Sequence, residues 1–437
     1  MITESPHLDL NRAARIRADI RCLALLMVLH ATVFYVEGRY FSWPGISYGK
    51  FYIAAEVLAF HDDWRETFRK ENLDIDEPGP TIALAALYRL TPSIWWGQRV
   101  YRLFLLSISQ IGIALLYLAA RSIGLRRRLT LMTCCLYLLL PYPHRVAFSP
   151  TSFAGGIAFM TLFYGILSKY IAIIHRAGRA GSSVELSTHV RHGLAMGLSV
   201  GLASIFRSQS YLLSSFLFPA MGLFLYLVQK SVVRWRVAFA CICIGFGSGQ
   251  LLGHLPGMIF FHAYQGTIQV RRNILYHSIA LGLAYDGSNG LGMKSGDEGV
   301  RDWILVRYPE VGYCSPEYER VLSQVLICHL KTNPFDFARS FLHRLSFLVH
   351  SIPTASANTY DFGFRLINIV CLMVLVWGGR LFWAGRFPEF VIFFGCFSYY
   401  FLTVTLIQLP HWAYLWPGHL AMLPAGMFIL AIESEIT

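Results

Sequence analysis

Charge is what this sequence has least of. Only 14% of its 437 residues are Asp, Glu, Lys or Arg, where a soluble domain carries about a quarter, while 55% are apolar and the mean hydropathy is +0.49. That deficit excludes an ordinary soluble enzyme. Acids are the scarcer sign, 25 against 37 basic residues, which leaves a net charge of +12. In a soluble chain such an excess would suggest nucleic acid, but basic residues between apolar runs are also what membrane orientation requires, so their location decides. Glycine-rich phosphate loops, dinucleotide fingerprints and zinc-protease signatures are lacking, as is any internal repeat of about 20–50 residues. Cysteine is too dispersed for a disulfide framework. Seven of nine (Cys22, Cys134, Cys135, Cys241, Cys243, Cys371, Cys396) lie in apolar runs, where each reads as a small buried hydrophobe, and Cys241 and Cys243 have no histidine at zinc-site spacing. Cys314 and Cys328 share one polar segment and are the pair open to a disulfide.

What the sequence does have is long apolar runs. They fall at about 22–37, 101–120, 129–143, 152–173, 193–206, 210–229, 237–262, 364–379, 388–409 and 413–432. This predicts an all-α polytopic membrane protein with about ten transmembrane helices and two long external loops containing interfacial helices. An eleventh span is the alternative for 335–349, which reads as interfacial because Arg339, His343 and Arg344 stripe one face and Phe337, Phe341, Leu345 and Leu348 the other. The expected divisions are an N-terminal arm (1–21), a transmembrane core with the first external loop at 38–100 (22–262), a second external loop (263–363) and C-terminal transmembrane helices (364–437). The arm carries Arg12, Arg15, Arg17 and Arg21 without a small-residue cleavage site, and so reads as a cytoplasmic anchor.

With the N-terminus inside and the spans alternating, the cytoplasmic loops and tails collect 17 basic residues against seven acids. The remaining 20 basic and 18 acidic residues nearly balance. The excess positive charge is thereby an orientation signal, with membrane lipid and not nucleic acid as the partner. Both termini are predicted cytoplasmic, and the chemistry is expected on the non-cytoplasmic face.

That face carries several candidate residues. The first loop contains Glu37, Glu56, Asp62, Asp63, Glu66, Glu71, Asp74, Asp76 and Glu77. Carboxylates at a membrane face can act as a general base on an acceptor hydroxyl or hold a divalent cation beside a phosphate; whether metal is used is open, and seven interspersed basic residues make a solvated surface the plainer alternative. Arg207 ends one apolar run and nearly begins the next. A guanidinium at that level suits a phosphate, with a snorkelling arginine as the structural alternative. The turn at 141–151 carries His144 and Arg145, which can complete such a phosphate site, with a capping-and-turn role for Ser149 and Pro150 as the equal alternative. His411, Trp412, Tyr414, Trp416 and His419 read as an aromatic belt, and the glycine-rich stretch 277–302 as a surface loop, with an active-site flap as the alternative.

Three stretches together resemble the GT-C membrane glycosyltransferases, specifically the bacterial relatives of protein O-mannosyltransferases and lipid A aminoarabinose transferases. They are Tyr52-Ile-Ala-Ala-Glu-Val-Leu58 with Pro78-Gly-Pro-Thr-Ile-Ala-Leu-Ala-Ala-Leu-Tyr88 and Arg99-Val-Tyr-Arg-Leu103; the glycine-rich run Gly193–Arg207; and Tyr318-Glu-Arg320 through Asn333-Pro334 to Arg344. The resemblance implies a bacterial inner-membrane enzyme that transfers a hexose or pentose, with inversion, from a polyprenyl-phosphate-linked sugar to a glycan, lipid or protein acceptor. It also implies a base from the first loop. The family places an Asp shortly before the tyrosine that Tyr52 resembles, and this chain departs there with Tyr48-Gly49-Lys50-Phe51. Asp62 or Asp63 is the expected substitute, with Glu56 and Asp76 behind them, and Arg207, Arg145 and His144 the expected donor-phosphate ligands. A lipid-linked glycan polymerase or ligase, and a transporter or flippase without covalent chemistry, are the alternative functions.

Overall fold

The computed structural model describes residues 6–40, 49–70, 73, 78–139, 152–207, 210, 212–228, 232–266, 268, 275–285, 289–313, 315–350, 360–406 and 412–434. Among them the only regular secondary structure is helical. The helices are α1 (Pro6–Tyr40), α2 (Gly49–Phe60), α3 (Trp64–Lys70), α4 (Gly79–Leu90), α5 (Ile94–Ser122), α6 (Arg127–Leu139), α7 (Ser152–Arg179), α8 (Leu186–Phe206), α9 (Ser214–Val228), α10 (Val232–Gln265), α11 (Leu275–Leu283), α12 (Asp297–Arg307), α13 (Pro316–Thr332), α14 (Pro334–His350), α15 (Tyr360–Trp383), α16 (Phe390–Leu406) and α17 (Trp412–Ser434). Each of the ten predicted apolar runs falls on one of these helices. Among the described residues four stretches are long and apolar enough to cross a membrane: Ala14–Val36, Ile94–Ser122, Ala154–Arg179 and Arg234–Gln265. Shorter apolar stretches occupy α9, α15, α16 and α17.

Close backbone contact between α8 and α10 organises the bundle. Gly193, Gly197 and Gly201 repeat every four residues on α8, and Gly245, Gly249 and Gly253 do so on α10, so each helix presents a stripe without side chains. The stripes face each other. A Cβ added to Gly193 would lie 2.5 Å from the Ile242 carbonyl oxygen, one on Gly201 2.5 Å from that of Gln250, and one on Gly253 2.7 Å from the Leu202 nitrogen. In an apolar solvent, where burying hydrocarbon between helices is little rewarded, such dispersion-rich approach is what holds spans together. The register rises in the same direction on both helices, so α8 and α10 run parallel and α9 returns between them. The pair α5 and α7 uses the same device: a Cβ on Gly112 would stand 2.5 Å from the Thr161 carbonyl oxygen.

The bundle has two chemically different ends. At the basic end the Asp19 carboxylate accepts from the Tyr117 hydroxyl (2.9 Å), Arg127 Nε (2.9 Å) and Arg121 Nε (3.3 Å), joining α1, α5 and α6. His175 of α7 meets Glu389, just before α16, at 2.6 Å, and Tyr170 of α7 meets His189 of α8 at 2.7 Å. The opposite end, the loop end, carries α2–α4 and α11–α14. There Trp64 and Phe68 pack on Phe260 and Tyr264 in the last turns of α10, with the Trp64–Phe260 rings stacked at 5.8 Å.

Three expectations change. The stretch 277–302 is no bare loop, because it runs from α11 through a described turn segment into α12, and these pack with α13 in a core of their own built on Leu283, Val300, Ile304, Tyr318, Leu322 and Leu326. In α14 the predicted polar stripe splits: Arg339 and His343 are exposed, but Arg344 is only 3% exposed and stands one turn beyond buried Ser340, whose hydroxyl donates to the Gly282 carbonyl at 2.9 Å. The helix turns that polar pair inward while Phe335 and Leu342 face out. His419, assigned to the aromatic belt, is also buried, beside Phe397. Cys314, and with it the expected disulfide, lies outside the described residues.

The glycine stripes make a sharp prediction. Gly197→Leu forces α8 and α10 apart, and overpacking of that kind costs at least about 1–3 kcal/mol. Gly247 on α10 has nothing within 4 Å of a built Cβ. Thermal unfolding in detergent is expected to lower the midpoint for Gly197→Leu by several degrees and to leave Gly247→Leu at the wild-type value.

Candidate functional site

The loop end gathers the sequence-predicted residues unevenly. Arg207 closes α8: its N–H donates to the Ala203 carbonyl at 2.7 Å and its backbone turns extended, at φ −146°, so the side chain leaves the helix where the apolar run stops. Phe206, immediately before it, is wedged between the glycines that begin two other helices. Gly155 of α7 lies against its ring, and a Cβ on Gly79 of α4 would come within 2.8 Å of it. Gly156 faces Arg207 itself, with a built Cβ 2.9 Å from the Arg207 Cβ. The arginine is thus set at the junction of α4, α7 and α8 by residues that have no side chains to displace it.

The first-loop acids are placed differently. Asp62 and Asp63 are exposed in the turn between α2 and α3, where Asp63 lends its carbonyl to the Glu66 and Thr67 N–H groups at 2.9 and 3.1 Å. That turn is anchored to α10 through Trp64. Glu56 is exposed on α2, on a helix whose Tyr52 hydroxyl receives Arg102 at 3.5 Å. Glu56 and Tyr52 bear electrostatically on the Tyr88 phenol, which burial pushes up to about 12. Arg89 reaches back to the Ala59 carbonyl at 2.8 Å and fixes the end of α2. Asp76, His144 and Arg145 lie outside the described residues. Among the described residues no group of three or more His, Cys, Asp or Glu side chains is arranged to hold a metal ion.

A second polar constellation comes from α11–α13. His277, 2% exposed, is held through both ring nitrogens: Nε2 lies 3.1 Å from the Asp297 carboxylate and Nδ1 2.8 Å from the Tyr318 hydroxyl. With Nε2–H donating to the carboxylate, Nδ1 of a neutral ring accepts from the phenol. The Glu319 carboxylate, also buried, accepts the backbone N–H groups of Tyr276 (2.8 Å) and His277 (3.1 Å), which start α11. Burial pushes the Glu319 carboxyl up, opposed by those two donors. Asp297 behaves oppositely. The hydrogen bond from His277 holds its carboxyl below the ordinary range, and the Arg207 and Arg301 guanidiniums pull the same way, which places Arg207 within electrostatic reach of α12. Asp297 stands at the first turn of α12 with its side chain 71% exposed.

Nearby, Asp336 clamps the same subdomain. It receives His329 Nε2 at 2.9 Å, Arg339 at 3.0 Å and the Gly290 N–H, tying the glycine-rich stretch to α13 and α14. Sequence reasoning named His277, Asp297 and Tyr318 only as parts of a loop and of a family-like stretch. The signal it had was Tyr318-Glu319 at the start of a helix; the histidine and aspartate that meet them are 41 and about 20 residues away.

No family model matches the chain, and no curated protein matches it. Among solved structures the chain is similar to the crystal structure of the Archaeoglobus fulgidus oligosaccharyltransferase in the apo form. The identity is 12% and the TM-score 0.49, over 95% of this chain and 50% of that one. The chain spans about half the length of that protein.

The Asp297–His277 pair has a definite pH signature. A depressed carboxyl stabilises the folded form above its ordinary value near 4, and that contribution is lost as pH falls through the depressed value. Asp297→Asn is therefore expected to unfold at a lower temperature than wild type at pH 7, with the two midpoints converging below about pH 4; scanning fluorimetry across that range checks it.

Proposed function

We propose that this chain is a membrane glycosyltransferase that moves a sugar from a polyprenyl-phosphate donor to a glycan, lipid or protein acceptor at the loop end of the bundle. What carries the reading is the seat of Arg207. An arginine where an apolar helix ends, its Cβ set against Gly156 of α7, supports the reading, because a lipid donor presents its phosphate near the end of the hydrocarbon layer and a planar guanidinium suits that group. The stretches that resemble the GT-C enzymes also support it, because those bearing Tyr52–Leu58, Pro78–Tyr88 and Tyr318–Asn333 form α2, α4 and α13 around the same end.

The chemistry follows from the parts. A first-loop carboxylate, Asp62 or Asp63 with Glu56 and Asp76 as alternatives, takes the acceptor hydroxyl proton as that oxygen attacks the anomeric carbon. The carbon–oxygen bond to the lipid phosphate breaks with its electron pair going to the phosphate, and the configuration inverts. Arg207, joined by Arg145 and His144, stabilises the charge that builds on the departing phosphate. Asp297, within electrostatic reach of Arg207 and itself restrained by His277, orients the guanidinium for that role. Where a divalent cation takes part, exposed acids of the first loop are the side chains suited to hold it.

Sugar transfer from a radiolabelled polyprenyl-phosphate donor tests the assignment. Arg207→Ala is expected to lower transfer by about 100-fold or more, the usual effect of removing a preorganised charge stabiliser, without loss of folded protein. Arg207→Lys should keep part of the activity, and Asp62→Asn or Asp63→Asn should depress it when that residue is the base. Full activity in Arg207→Ala sinks the phosphate role. Movement of the lipid-linked sugar across vesicles with no covalent product replaces the enzyme with a flippase.

A further inference from the structure

The loop end holds the proposed chemistry, yet a well-formed cleft lies at the other end. A space of about 580 Å³ opens between the last turns of α7, the connection 180–185, the first turn of α8, the end of α9 and the start of α10. Its walls are largely aliphatic, among them Ile174, Val184, Val228 and Val237. Set into them are one guanidinium, Arg234, the hydroxyls of Ser182 and Ser183, and His189. Tyr170 occupies His189 Nδ1, so Nε2 is the ring nitrogen left to meet an occupant.

Cations outnumber acids around the cleft. α8 and α10 both begin beside it and turn their positive dipole ends toward it. Lys169, Arg176, Arg179, Arg191 and Arg236 stand on the helices around it. The nearby acid is Glu185, exposed just before α8, which receives the Ser187 hydroxyl at 3.2 Å. A site of this kind suits an anion. Its aliphatic majority suits a hydrocarbon chain, and its place at the end of apolar helices puts it at head-group depth.

We propose that this cleft binds the phosphate-bearing head group of an anionic lipid at the basic end of the bundle. Arg234, with the first turn of α8 and the serine hydroxyls, holds the phosphate, and the aliphatic wall takes the upper part of an acyl chain. The site is separate from the loop-end chemistry and does not depend on it. It assigns the basic end a lipid ligand, where the charge distribution alone assigns only an orientation.

Native mass spectrometry of delipidated protein in detergent, titrated with phosphatidylglycerol or with phosphatidylcholine of the same acyl chains, tests the proposal. Phosphatidylglycerol is expected to bind at least about tenfold more tightly. Arg234→Gln should weaken it about tenfold, as loss of a charge-assisted hydrogen bond does. Gly178→Phe fills the cleft from a helical position whose built Cβ meets only Val228, at an ordinary 3.5 Å, and should abolish retention. Arg320→Gln, on α13 at the loop end, should leave binding unchanged, and the thermal midpoint of each lipid-free variant identifies any that misfold. Equal retention by wild type, Arg234→Gln and Gly178→Phe overturns the site, as does equal binding of the two lipids. Displacement by excess inorganic phosphate overturns the lipid and leaves a soluble phosphate ligand in its place.

Discussion

The architecture depends on one contact, the backbone-to-backbone approach of α8 and α10 along facing glycine stripes. Because the two helices touch with no side chains between them, their relative height is set by register and not by the adjustable packing of larger residues. Everything at the loop end inherits that register. The end of α8 presents Arg207, the end of α10 presents the aromatic platform on which Trp64 and Phe68 rest, and so the first loop and the arginine are brought to one level by a feature far from either.

Above that level a second kind of order takes over. The α11–α14 subdomain buries the Glu319 carboxylate and the His277 and His329 rings, which is costly unless their polar atoms are engaged, and the pattern of contacts meets that demand. His277 uses both nitrogens, Glu319 serves two N–H groups, and Asp336 serves three donors. These groups leave little freedom for the first turns of α11 and α12. A loop end built partly on such a network is held in place more firmly than a surface loop of similar glycine content would be.

The sequence made the helices legible because apolar length is a local property, and each of the ten apolar runs overlaps a helix of the described residues. Arg207 was legible for the same reason, as a charge where an apolar run stops. The partner of its helix was not. Gly245, Gly249 and Gly253 carry the same four-residue spacing as Gly193, Gly197 and Gly201, but nothing local says that two stripes 52 residues apart will meet. The burial of Arg344 was hidden because amphipathic reasoning sends charge outward, whereas here the neighbouring α11 supplies a carbonyl that draws Ser340 and the turn after it inward. The His277–Asp297–Tyr318 set was hidden by separation along the chain, since three short helices must fold together before those atoms are neighbours.

Asp19 bears on how the protein is made. Its carboxylate is matched by Tyr117, Arg121 and Arg127, all about a hundred residues later in the chain, while the apolar stretch of α1 is mostly uncovered by the rest of the bundle. During synthesis the first helix therefore enters the bilayer long before its countercharges exist. Its attachment to the other helices is a late event, completed when α5 has crossed and α6 has begun. The segment α1 is in this sense secured long after it is made.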